Sequence, residues 1–404
     1  MGGGREMEPV VETILVVDDD KTNRTLLSII LKNEEYRVVE AEDGRDALEK
    51  GLTMPIDLVL LDIMMPKMDG YEACKRLKAD PRTRDIPVVF LSAKSGTRDK
   101  IMGLDSGGAD YVTKPFDKGE VLARVRSQLR IRSLTREVIE KQKHLDNDLK
   151  VAAGIQQSLL PSREVPGKSS LKWAWRFKPC DEIGGDIFNI LRLDESHYAV
   201  YMLDVSGHGV PSALVTVSAS QMLQPHTNIL VRQDGEGSGK EIIAPVDVVK
   251  RLDHEYPMER FDKYFTLVYM LIDTERGLLS YSNAGHPPPL LIRTDGTVKA
   301  LEKGGPMVGL NGALPFEEEE ISLDPGDRVI LYTDGVIEYE KTDLEFYGEE
   351  RFHAVIKRSA GLSIDALSEA IMEDLMAFGE GAPPRDDITL LAIESRGDVE
   401  SARS

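Results

Sequence analysis

The N-terminal third of the chain alternates short apolar runs with amphipathic stretches. Runs rich in Val, Ile and Leu predict strands at Thr13–Val17, Arg37–Glu40, Ile56–Leu61, Ile86–Leu91 and Ala109–Thr113. Helices are predicted between and after them, near residues 21–33, 43–53, 67–79, 96–107 and 117–131. The runs lack a strict apolar–polar alternation, so both faces of each strand should be covered. Residues 12–131 are therefore predicted to form an α/β domain with a doubly wound, five-stranded parallel sheet, whose site lies at the carboxyl ends of the strands.

A long helical segment is predicted next, at residues 132–160. Apolar residues recur at alternating spacings of three and four, and seven of the nine seam positions are apolar: Ile131, Leu134, Val138, Lys141, Leu145, Asp148, Ala152, Ile155 and Leu159. This seam predicts either a two-stranded coiled coil that makes the protein a homodimer, or one long helix packed on its own C-terminal domain. Lys141 and Asp148 would weaken a coil locally because they place charges at core positions.

Residues 161–396 combine many strand patterns with helical pairs. Strands are predicted at Trp173–Lys178, Ile187–Leu193, Tyr198–Asp204, Phe265–Asp273, Leu278–Asn283, Leu290–Thr294 and Asp327–Thr333. Helices are predicted at Val210–Val231, Pro245–Tyr256, Glu349–Ser359 and Ile364–Phe378. The pattern indicates an α+β sandwich with flanking helices. The Gly-rich stretch Gln233–Lys240 is expected to be a mobile loop.

Composition narrows the classes of function. The formal net charge of −20 disfavours nucleic acid as the main partner, because phosphate binding needs clustered Lys and Arg. No apolar run reaches the ~18 residues of a membrane helix, and the N-terminus lacks a signal-peptide pattern. The two cysteines, Cys74 and Cys180, show neither metal-binding nor disulfide spacing. We therefore expect a cytoplasmic protein that binds neither nucleic acid nor membrane.

Polar side chains follow the strands of the first domain where those strands end. Asp18 and Asp19 follow the first strand, and Asp62 ends the third. Ser92 ends the fourth strand, and Lys114 follows the fifth. Strand ends of a parallel sheet meet at one edge, so these side chains should converge. Clustered carboxylates suit Mg²⁺, and a nearby lysine could hold a phosphoryl group.

The segments ILVVDD, LLDIMMPKMDG, LSA and ADYVTKPF resemble the response-regulator receiver family, across residues 12–131. The resemblance implies that Asp62 accepts a phosphoryl group from a sensor histidine kinase or a phosphotransfer protein. It also implies that Mg²⁺ is held by three carboxylates and one backbone carbonyl: those of Asp18, Asp19, Asp62 and Met64. Ser92 and Lys114 would contact the phosphoryl group, and Tyr111 would occupy the family's aromatic switch position.

Four acidic motifs with small neighbours mark the C-terminal domain: Gly184–Asp186 (GGD), Asp204–Gly209 (DVSGHG), Thr333–Gly335 (TDG) and Arg385–Asp387 (RDD). Small residues let the backbone and a hydrated metal approach closely. Aspartates from separate strands could hold two divalent cations about 3.5–4 Å apart, which would polarise a water for hydrolysis. No Ser-His-Asp or Cys-His arrangement indicates a covalent mechanism.

These motifs, with IQQSLLP, YFTLVYMLID and NAGHPPPLL, resemble the metal-dependent protein phosphatase (PPM, type 2C-like) family, and within it the bacterial sporulation and sigma-factor-regulating branch. The resemblance implies two Mn²⁺ or Mg²⁺ ions and hydrolysis of phosphoserine or phosphothreonine. Asp204 would bridge both ions and, with Asp334, act in catalysis. Asp334 and Asp386 would complete one ion's site, and Asp186 and the carbonyl of Val205 the other. The expected substrate is a phosphoserine on an anti-sigma-factor antagonist.

Other polar residues near the motifs carry secondary interpretations. Eukaryotic-type members carry a histidine close behind the bridging Asp and an Arg in the first motif, whereas here His208 lies four residues after Asp204 and EIGGD has no Arg. A general-acid role for His208 is therefore not assigned. Arg176 and Lys178 are candidate phosphate-binding cations. Asn283 and His286 are interpreted as turn-stabilising residues, and Asp387 as a hydrogen-bonding neighbour of the ligands.

Three functions stay open at this level. In the first, phosphorylation of Asp62 controls the phosphatase through the helical segment, because no flexible break separates Lys118 from Leu160. In the second, the chain is a non-enzymatic, phosphorylation-gated adaptor that uses the phosphatase fold for binding; the retained Asp positions argue against it. The third is a nucleotide-cyclase or DNA-binding output, which the acidic chain without a basic recognition helix disfavours.

Overall fold

The computed structural model describes residues 11–92, 105–161, 170–233, 240–341 and 345–396. The chain divides into two compact units, Met1–Leu145 and Asp146–Ser404. The division falls inside the helical segment predicted at 132–160, and the predicted domain boundaries stay predictions.

The first unit contains one parallel sheet. Its strands are β1 Thr13–Val17, β2 Arg37–Ala41, β3 Leu58–Asp62, β4 Val88–Ser92 and β5 Asp110–Thr113. Its helices are α1 Lys21–Lys32, α2 Gly44–Thr53, α3 Gly70–Ala79 and the first part of α4 Lys118–Gln157. The strand order is β2-β1-β3-β4-β5, and every neighbouring pair is parallel. The predicted doubly wound sheet is confirmed.

Both faces of this sheet are buried, which explains the continuous apolar runs. Leu15 and Val17 belong to a core with residues of α2 and α3. Ile14 and Val16, which point to the other face, belong to a core with residues of α1 and α4. The helix predicted near residues 96–107 falls mostly outside the described residues.

Helix α4 runs without interruption from the first unit into the second. Its 40 residues give a length of about 60 Å at 1.5 Å per residue. The helical linker is thus confirmed. Much of the predicted apolar seam is about half exposed in the single chain: Ile131, Leu134, Val138, Leu145 and Ile155. The last predicted seam position, Leu159, lies beyond the end of α4 at Gln157 and packs against the core of the second unit.

The second unit contains antiparallel sheets flanked by helices. Its strands are β6 Leu171–Lys178, β7 Asp186–Arg192, β8 His197–Val205, β9 Val231–Gln233, β10 Lys240–Ile242, β11 Phe265–Asp273, β12 Leu278–Ala284, β13 Leu290–Ile292, β14 Val298–Ala300, β15 Gly304–Gly305, β16 Glu319–Ser322, β17 Arg328–Tyr332 and β18 Ile388–Ser395. Its helices are α5 Val210–Met222, α6 Pro245–Glu255, α7 Met258–Phe261, α8 Asp334–Ile337, α9 Gly348–Ser359 and α10 Ile364–Phe378.

Two sheets face each other across a shared core. One follows the order β15-β12-β11-β8-β7, with β16 also paired to β12, and the other follows β14-β13-β17-β18-β6. Side chains from both sheets, such as Phe188 and Leu391, fill the space between them. Helices α5 and α6 cover the outer face of the first sheet, and α9 and α10 cover that of the second. The predicted sandwich with flanking helices is confirmed.

Two sequence-based expectations need correction. The helix predicted at Val210–Val231 ends at Met222, and Val231 begins strand β9. Pro225 follows shortly after the helix end, and a proline disfavours helical conformation in the residue before it. Strand β18 was not predicted, although every residue from Ile388 to Ile393 is buried. Within the described ranges, no helix has the length and apolar character needed to cross a bilayer.

Candidate functional site

The receiver site lies at the carboxyl edge of the parallel sheet. Lys114 Nζ is 2.8 Å from Asp18 Oδ2 and 2.9 Å from Asp62 Oδ2. The carboxylates of Asp18, Asp19 and Asp62 lie close enough together to serve as ligands of one cation. The structure thus brings together the acidic residues and the lysine that the sequence placed at separate strand ends.

Burial and charge set the protonation of this cluster. Burial raises the pKa of Asp62, the Lys114 hydrogen bond opposes the rise, and the Asp18 charge adds to it. Burial alone would lower the pKa of Lys114. The hydrogen bonds to Asp18 and Asp62, together with the charges of these carboxylates, outweigh the effect of burial, so the pKa of Lys114 is raised. Lys114 therefore stays cationic and partly offsets two buried carboxylates.

Asp18 is held by more partners than the sequence indicated. The side chain of Asn23 donates to both of its carboxylate oxygens, at 3.2 and 3.1 Å. Arg24 donates to its carbonyl at 2.8 Å. Asp20, which had no predicted role, caps helix α1 by accepting from the Thr22 N–H at 2.7 Å. The three consecutive aspartates thus differ: Asp18 is buried, Asp19 is exposed, and Asp20 caps a helix.

The loop after Asp62 packs tightly against the next helix. The backbone N–H of Met64 hydrogen-bonds the Asp62 carboxylate, which lowers its pKa, and the Met64 side chain is exposed. A Cβ on Gly70 would lie 2.2 Å from the Asp62 carbonyl oxygen, so this position requires glycine. The predicted Met64 carbonyl ligand stays a prediction.

Ser92 and Tyr111 lie where the sheet places them. Ser92 is buried at the end of β4, and its carbonyl accepts from the Lys114 N–H at 2.8 Å. Tyr111 lies on β5, with the guanidinium of Arg124 5.9 Å from the centre of its ring. The predicted phosphoryl contact of Ser92 and the switch role of Tyr111 stay predictions.

The second site is built on neighbouring strands of the first sheet. Asp186, which begins β7, is the cross-strand partner of Asp204 near the end of β8. Asp204 is paired in turn with Thr266 on β11. Residues directly opposite on antiparallel strands share a face, so the two carboxylates face the same side. The Asp186 carboxyl lies close enough to hydrogen-bond that of Asp204.

The carboxylates of this site repel one another. Burial raises the pKa of Asp186 well above its ordinary value, and the charges of Asp204 and Asp387 raise it further. Burial also raises the pKa of Asp204, to about 7, with the charges of Asp334, Asp386 and Asp387 contributing. These mutual effects place the aspartates from all four motifs in one electrostatic cluster.

The other two predicted ligands come from the second sheet. Asp334 begins the short helix α8 directly after β17, and Asp386 precedes β18. Burial raises the pKa of Asp334, followed by the Glu338 charge. Burial likewise raises the pKa of Asp386, and the Asp334 charge adds to the rise. The cluster therefore draws its acidic groups from both sheets of the sandwich.

Asp387 holds the motifs together. Its carboxylate accepts from the backbone N–H groups of Cys180, at 2.9 Å, and Asp186, at 3.2 Å. A Cβ on Gly184 would lie 1.9 Å from Asp387 Oδ2, and one on Gly335 would lie 2.1 Å from the Asp387 carbonyl oxygen. Two motif glycines thus make room for Asp387, a packing reason the sequence did not reveal. These contacts agree with the predicted hydrogen-bonding neighbour.

The donor set is of the chemical type that hard divalent cations accept, although among the described residues only the receiver carboxylates Asp18, Asp19 and Asp62 bring three ligand atoms within 4.8 Å of one another. Among the described residues, no lysine or arginine forms an ion pair with the carboxylate of Asp186, Asp204, Asp334 or Asp386. Gly185 brings the first motif against the second, because its Cβ would lie 2.7 Å from the carbonyl oxygen of Val205. Uncompensated carboxylates beside a backbone carbonyl are the oxygen ligands that Mg²⁺ and Mn²⁺ accept.

The secondary predictions have mixed outcomes. His208 is exposed, and its Nδ1 lies 3.0 Å from Asp181 Oδ2. Arg176 is engaged by Glu369 of α10, at 2.7 Å, so its guanidinium does not reach the acidic cluster as a free cation. Asn283 accepts from the His286 N–H at 2.8 Å and donates to the His286 carbonyl at 2.9 Å, which closes the turn as interpreted. Lys178 donates to the sulfur of Met376 at 3.0 Å.

Family models match both halves of the chain. The model of stage II sporulation protein E (SpoIIE) matches residues 194–396, and that of the response regulator receiver domain matches residues 14–126. The second unit is similar to the SiaA-PP2C domain of Pseudomonas aeruginosa, with 25% sequence identity and a TM-score of 0.53, over 63% of this chain and 98% of that domain.

Curated relatives match the receiver part. The chain is 49% identical over 117 residues to the DNA-binding dual master transcriptional regulator RpaA of Synechocystis, which covers 29% of this chain and 48% of that protein. It is 46% identical over 129 residues to the response regulator PleD of Caulobacter vibrioides, which covers 32% of this chain and 28% of that protein. The chain thus spans about half, or less, of the length of these relatives.

The fold and the matched family models define a chain in which a receiver domain is joined by a helix to a PP2C-type phosphatase domain. The chain belongs to the stage II sporulation protein E family and carries a response regulator receiver domain at its N-terminal end. Both resemblances drawn from the sequence are confirmed. Asp186 precedes the range that the SpoIIE model matches, so its assignment rests on the geometry.

Proposed function

We propose that this protein is a two-component response regulator whose phosphorylation on Asp62 controls a metal-dependent protein serine/threonine phosphatase. The observation that carries the proposal is the acidic cluster of the second unit, where burial and neighbouring carboxylates raise the pKa of Asp204 to about 7. Such a cluster is costly unless cations balance it. A non-enzymatic adaptor would not require several buried carboxylates that repel one another.

Each aspartate has a proposed role in holding two Mn²⁺ or Mg²⁺ ions. Asp204 would bridge the two, Asp334 and Asp386 would complete one site, and Asp186 and the Val205 carbonyl the other. When bound, such ions supply Lewis acidity that makes a water molecule a better nucleophile toward a phosphate ester. Asp204 and Asp334 would orient that water, and Asp387 would keep the first motif in place through its backbone hydrogen bonds.

The receiver would work through its own cluster. Asp62 would accept a phosphoryl group from a sensor histidine kinase or a phosphotransfer protein, with Mg²⁺ held beside Asp18 and Asp19. Lys114 already contacts Asp62 at 2.9 Å, so it could pair with the added phosphoryl oxygens without a large movement. Ser92 would hydrogen-bond the same group. We expect phosphorylation to raise phosphatase activity.

The proposed substrate is a phosphoserine on an anti-sigma-factor antagonist, which rests on the family resemblance alone. The chain would act as a homodimer through the seam of helix α4. Val138 is 66% exposed and Ile155 59% exposed in the single chain, which leaves an apolar stripe for a second helix to cover. A dimer would bury this stripe.

The test is Mn²⁺-dependent release of phosphate from a phosphoserine protein, measured with and without beryllofluoride, which mimics the phosphoryl group on Asp62. Wild-type protein should release phosphate, and Asp204→Ala should not. Asp62→Ala should keep the basal rate and lose the response to beryllofluoride. An inactive wild type in both receiver states, across several phosphoserine proteins, would refute the phosphatase and favour the adaptor.

A further inference from the structure

The end of helix α4 contributes a buried side chain to the first acidic motif. Gln156 is 5% exposed, although its neighbours Ile155 and Gln157 face solvent. Its Nε2 donates to the Gly184 carbonyl at 2.8 Å, and its Oε1 accepts from the Gly184 N–H at 3.2 Å. One side-chain amide thus satisfies both backbone groups of Gly184, as a neighbouring strand would.

The following backbone groups of the motif are fixed by other elements. The Gly185 carbonyl accepts from the hydroxyl of Thr216, on α5, at 2.6 Å. It also accepts from the Val205 N–H at 3.3 Å. The Asp186 N–H donates to Asp387, as described above. Three elements therefore hold three consecutive residues of this motif. Helix α4 holds Gly184, helix α5 holds Gly185, and the segment before β18 holds Asp186.

This backbone has little freedom to move without moving the candidate ligands. A Cβ on Gly185 would lie 2.7 Å from the Val205 carbonyl oxygen and 3.5 Å from Asp204 Oδ1. The path of residues 184–186 thus sets the space beside the Val205 carbonyl. Together with the Thr389 hydroxyl, which donates to Asp186 Oδ2, it also positions the Asp186 carboxylate. These are the two groups proposed to complete one metal site.

We propose that Gln156 is a positioning residue of that metal site, through which the end of helix α4 sets the site's affinity for a divalent cation. This inference rests on the proposed function for the identity of the ligands. Removing the amide would free the Gly184 backbone and let Asp186 and the Val205 carbonyl move apart. Hydrogen-bonding partners of metal ligands typically change metal affinity by about 10–100-fold. Gln156 acts through the backbone of Gly184, two residues before Asp186, so its removal should weaken binding by an amount near the low end of that range.

The test compares the full-length wild type with Gln156→Met, Gln156→Glu and the matched control Gln157→Met. Gln156→Met keeps the side-chain length and removes both hydrogen bonds. Gln156→Glu keeps an acceptor for the Gly184 N–H and removes the donor to its carbonyl, so it carries the test if Gln156→Met does not fold. Gln157 lies one position along the same helix and is exposed.

Mn²⁺ affinity is read from the urea midpoint as a function of Mn²⁺ concentration, followed by tryptophan fluorescence. Both tryptophans of the chain, Trp173 and Trp175, lie on β6, so the signal reports on the second unit and not on the receiver. A ligand that binds only the folded state stabilises it by RT ln(1 + L/Kd), where L is the free ligand concentration, so the dependence of the midpoint on Mn²⁺ concentration gives the affinity. Phosphate release at rising Mn²⁺ is measured in parallel.

Gln156→Met and Gln156→Glu should bind Mn²⁺ about 10-fold or more weakly, and their phosphatase rate should recover at saturating Mn²⁺. Gln157→Met should match the wild type. Affinities within twofold of the wild type, or an equal loss in Gln157→Met, would overturn the inference. A wild type that binds Mn²⁺ but releases no phosphate would instead defeat the proposed activity, and the binding measurement would still judge Gln156.

Discussion

Replacing Asp204 by Asn should separate the effect of the acidic cluster on folding stability from its role in phosphatase activity. Asn keeps the shape of the side chain and removes one charge from the centre of the cluster. Metal-free protein should become more stable near pH 8, because Asp186, Asp334 and Asp386 lose a repelling neighbour. The same change should abolish phosphatase activity and most of the stabilisation by Mn²⁺.

The magnitude follows from the pKa of Asp204, which rises from an ordinary 3.8 to about 7. At 1.36 kcal/mol per pH unit, this rise bounds the penalty of the ionised group at about 4 kcal/mol. Because the folded state binds the proton more tightly, the group's contribution to stability is present below pH 3.8 and is lost as the pH rises through about 7. The stability of the metal-free wild type should therefore fall between about pH 4 and pH 7.

The assay is urea unfolding of full-length protein in chelator, at pH 5.5 and pH 8, followed by the fluorescence of Trp173 and Trp175. At pH 8 the free energy of unfolding of Asp204→Asn should exceed that of the wild type by about 2 kcal/mol. This is roughly half the upper bound on the penalty of ionised Asp204, because the other carboxylates of the cluster remain. At pH 5.5 the difference should shrink, since the wild-type group is then largely protonated. Saturating Mn²⁺ should reverse the order of stability at pH 8, because it should stabilise the wild type far more than Asp204→Asn.

An equal destabilisation of Asp204→Asn at both pH values would refute the reasoning. It would mean that Asp204 contributes a structural hydrogen bond that outweighs the repulsion. A metal-free wild type whose stability is flat across this pH range would refute it as well. Asp62→Asn serves as a control, because that carboxylate belongs to the receiver and is paired with Lys114.

Three further perturbations test other contacts. Lys114→Ala should lower receiver stability by about 3 kcal/mol, the low end for breaking a buried pair, and remove the beryllofluoride response; receiver unfolding by far-UV circular dichroism checks this. Gly184→Ala places a Cβ 1.9 Å from Asp387 Oδ2, so it should cost about 1–3 kcal/mol and weaken the Mn²⁺-dependent shift of the urea midpoint. Val138→Glu should convert a dimer into a monomer by sedimentation; a wild type already monomeric would contradict the predicted coil.

The sequence predicts those features that repeat along the chain. Continuous apolar runs such as Thr13–Val17 identified the strands of the parallel sheet, because burial on both faces leaves a clear signal. The helix after Val210 was overextended, because apolar residues continue past Met222 into strand β9. Hydrogen bonds between distant residues leave no such signal, and the contact from Gln156 to Gly184 could not be predicted.

The acidic motifs illustrate the same limit. Their glycines indicated close approach, but not that the side chain and carbonyl of Asp387 fill the space beside Gly184 and Gly335. Asp20 stood in a run of three aspartates, where the sequence could not distinguish a ligand from a helix cap. Its hydrogen bond to the Thr22 N–H separates it from the candidate Mg²⁺ ligands Asp18 and Asp19. Residue type predicted the cluster, and the hydrogen bonds show which of its members caps the helix.

The two acidic sites balance their charge in different ways, and this difference bears on regulation. In the receiver, Lys114 partly offsets the charges of Asp18 and Asp62 within the protein, so the stability of that site should depend less on a cation. Within the described part of the phosphatase unit, no lysine or arginine is paired with Asp204. Its site should therefore depend on metal for both stability and activity. A signal that changes metal affinity would then switch the enzyme without altering any group that contacts the substrate.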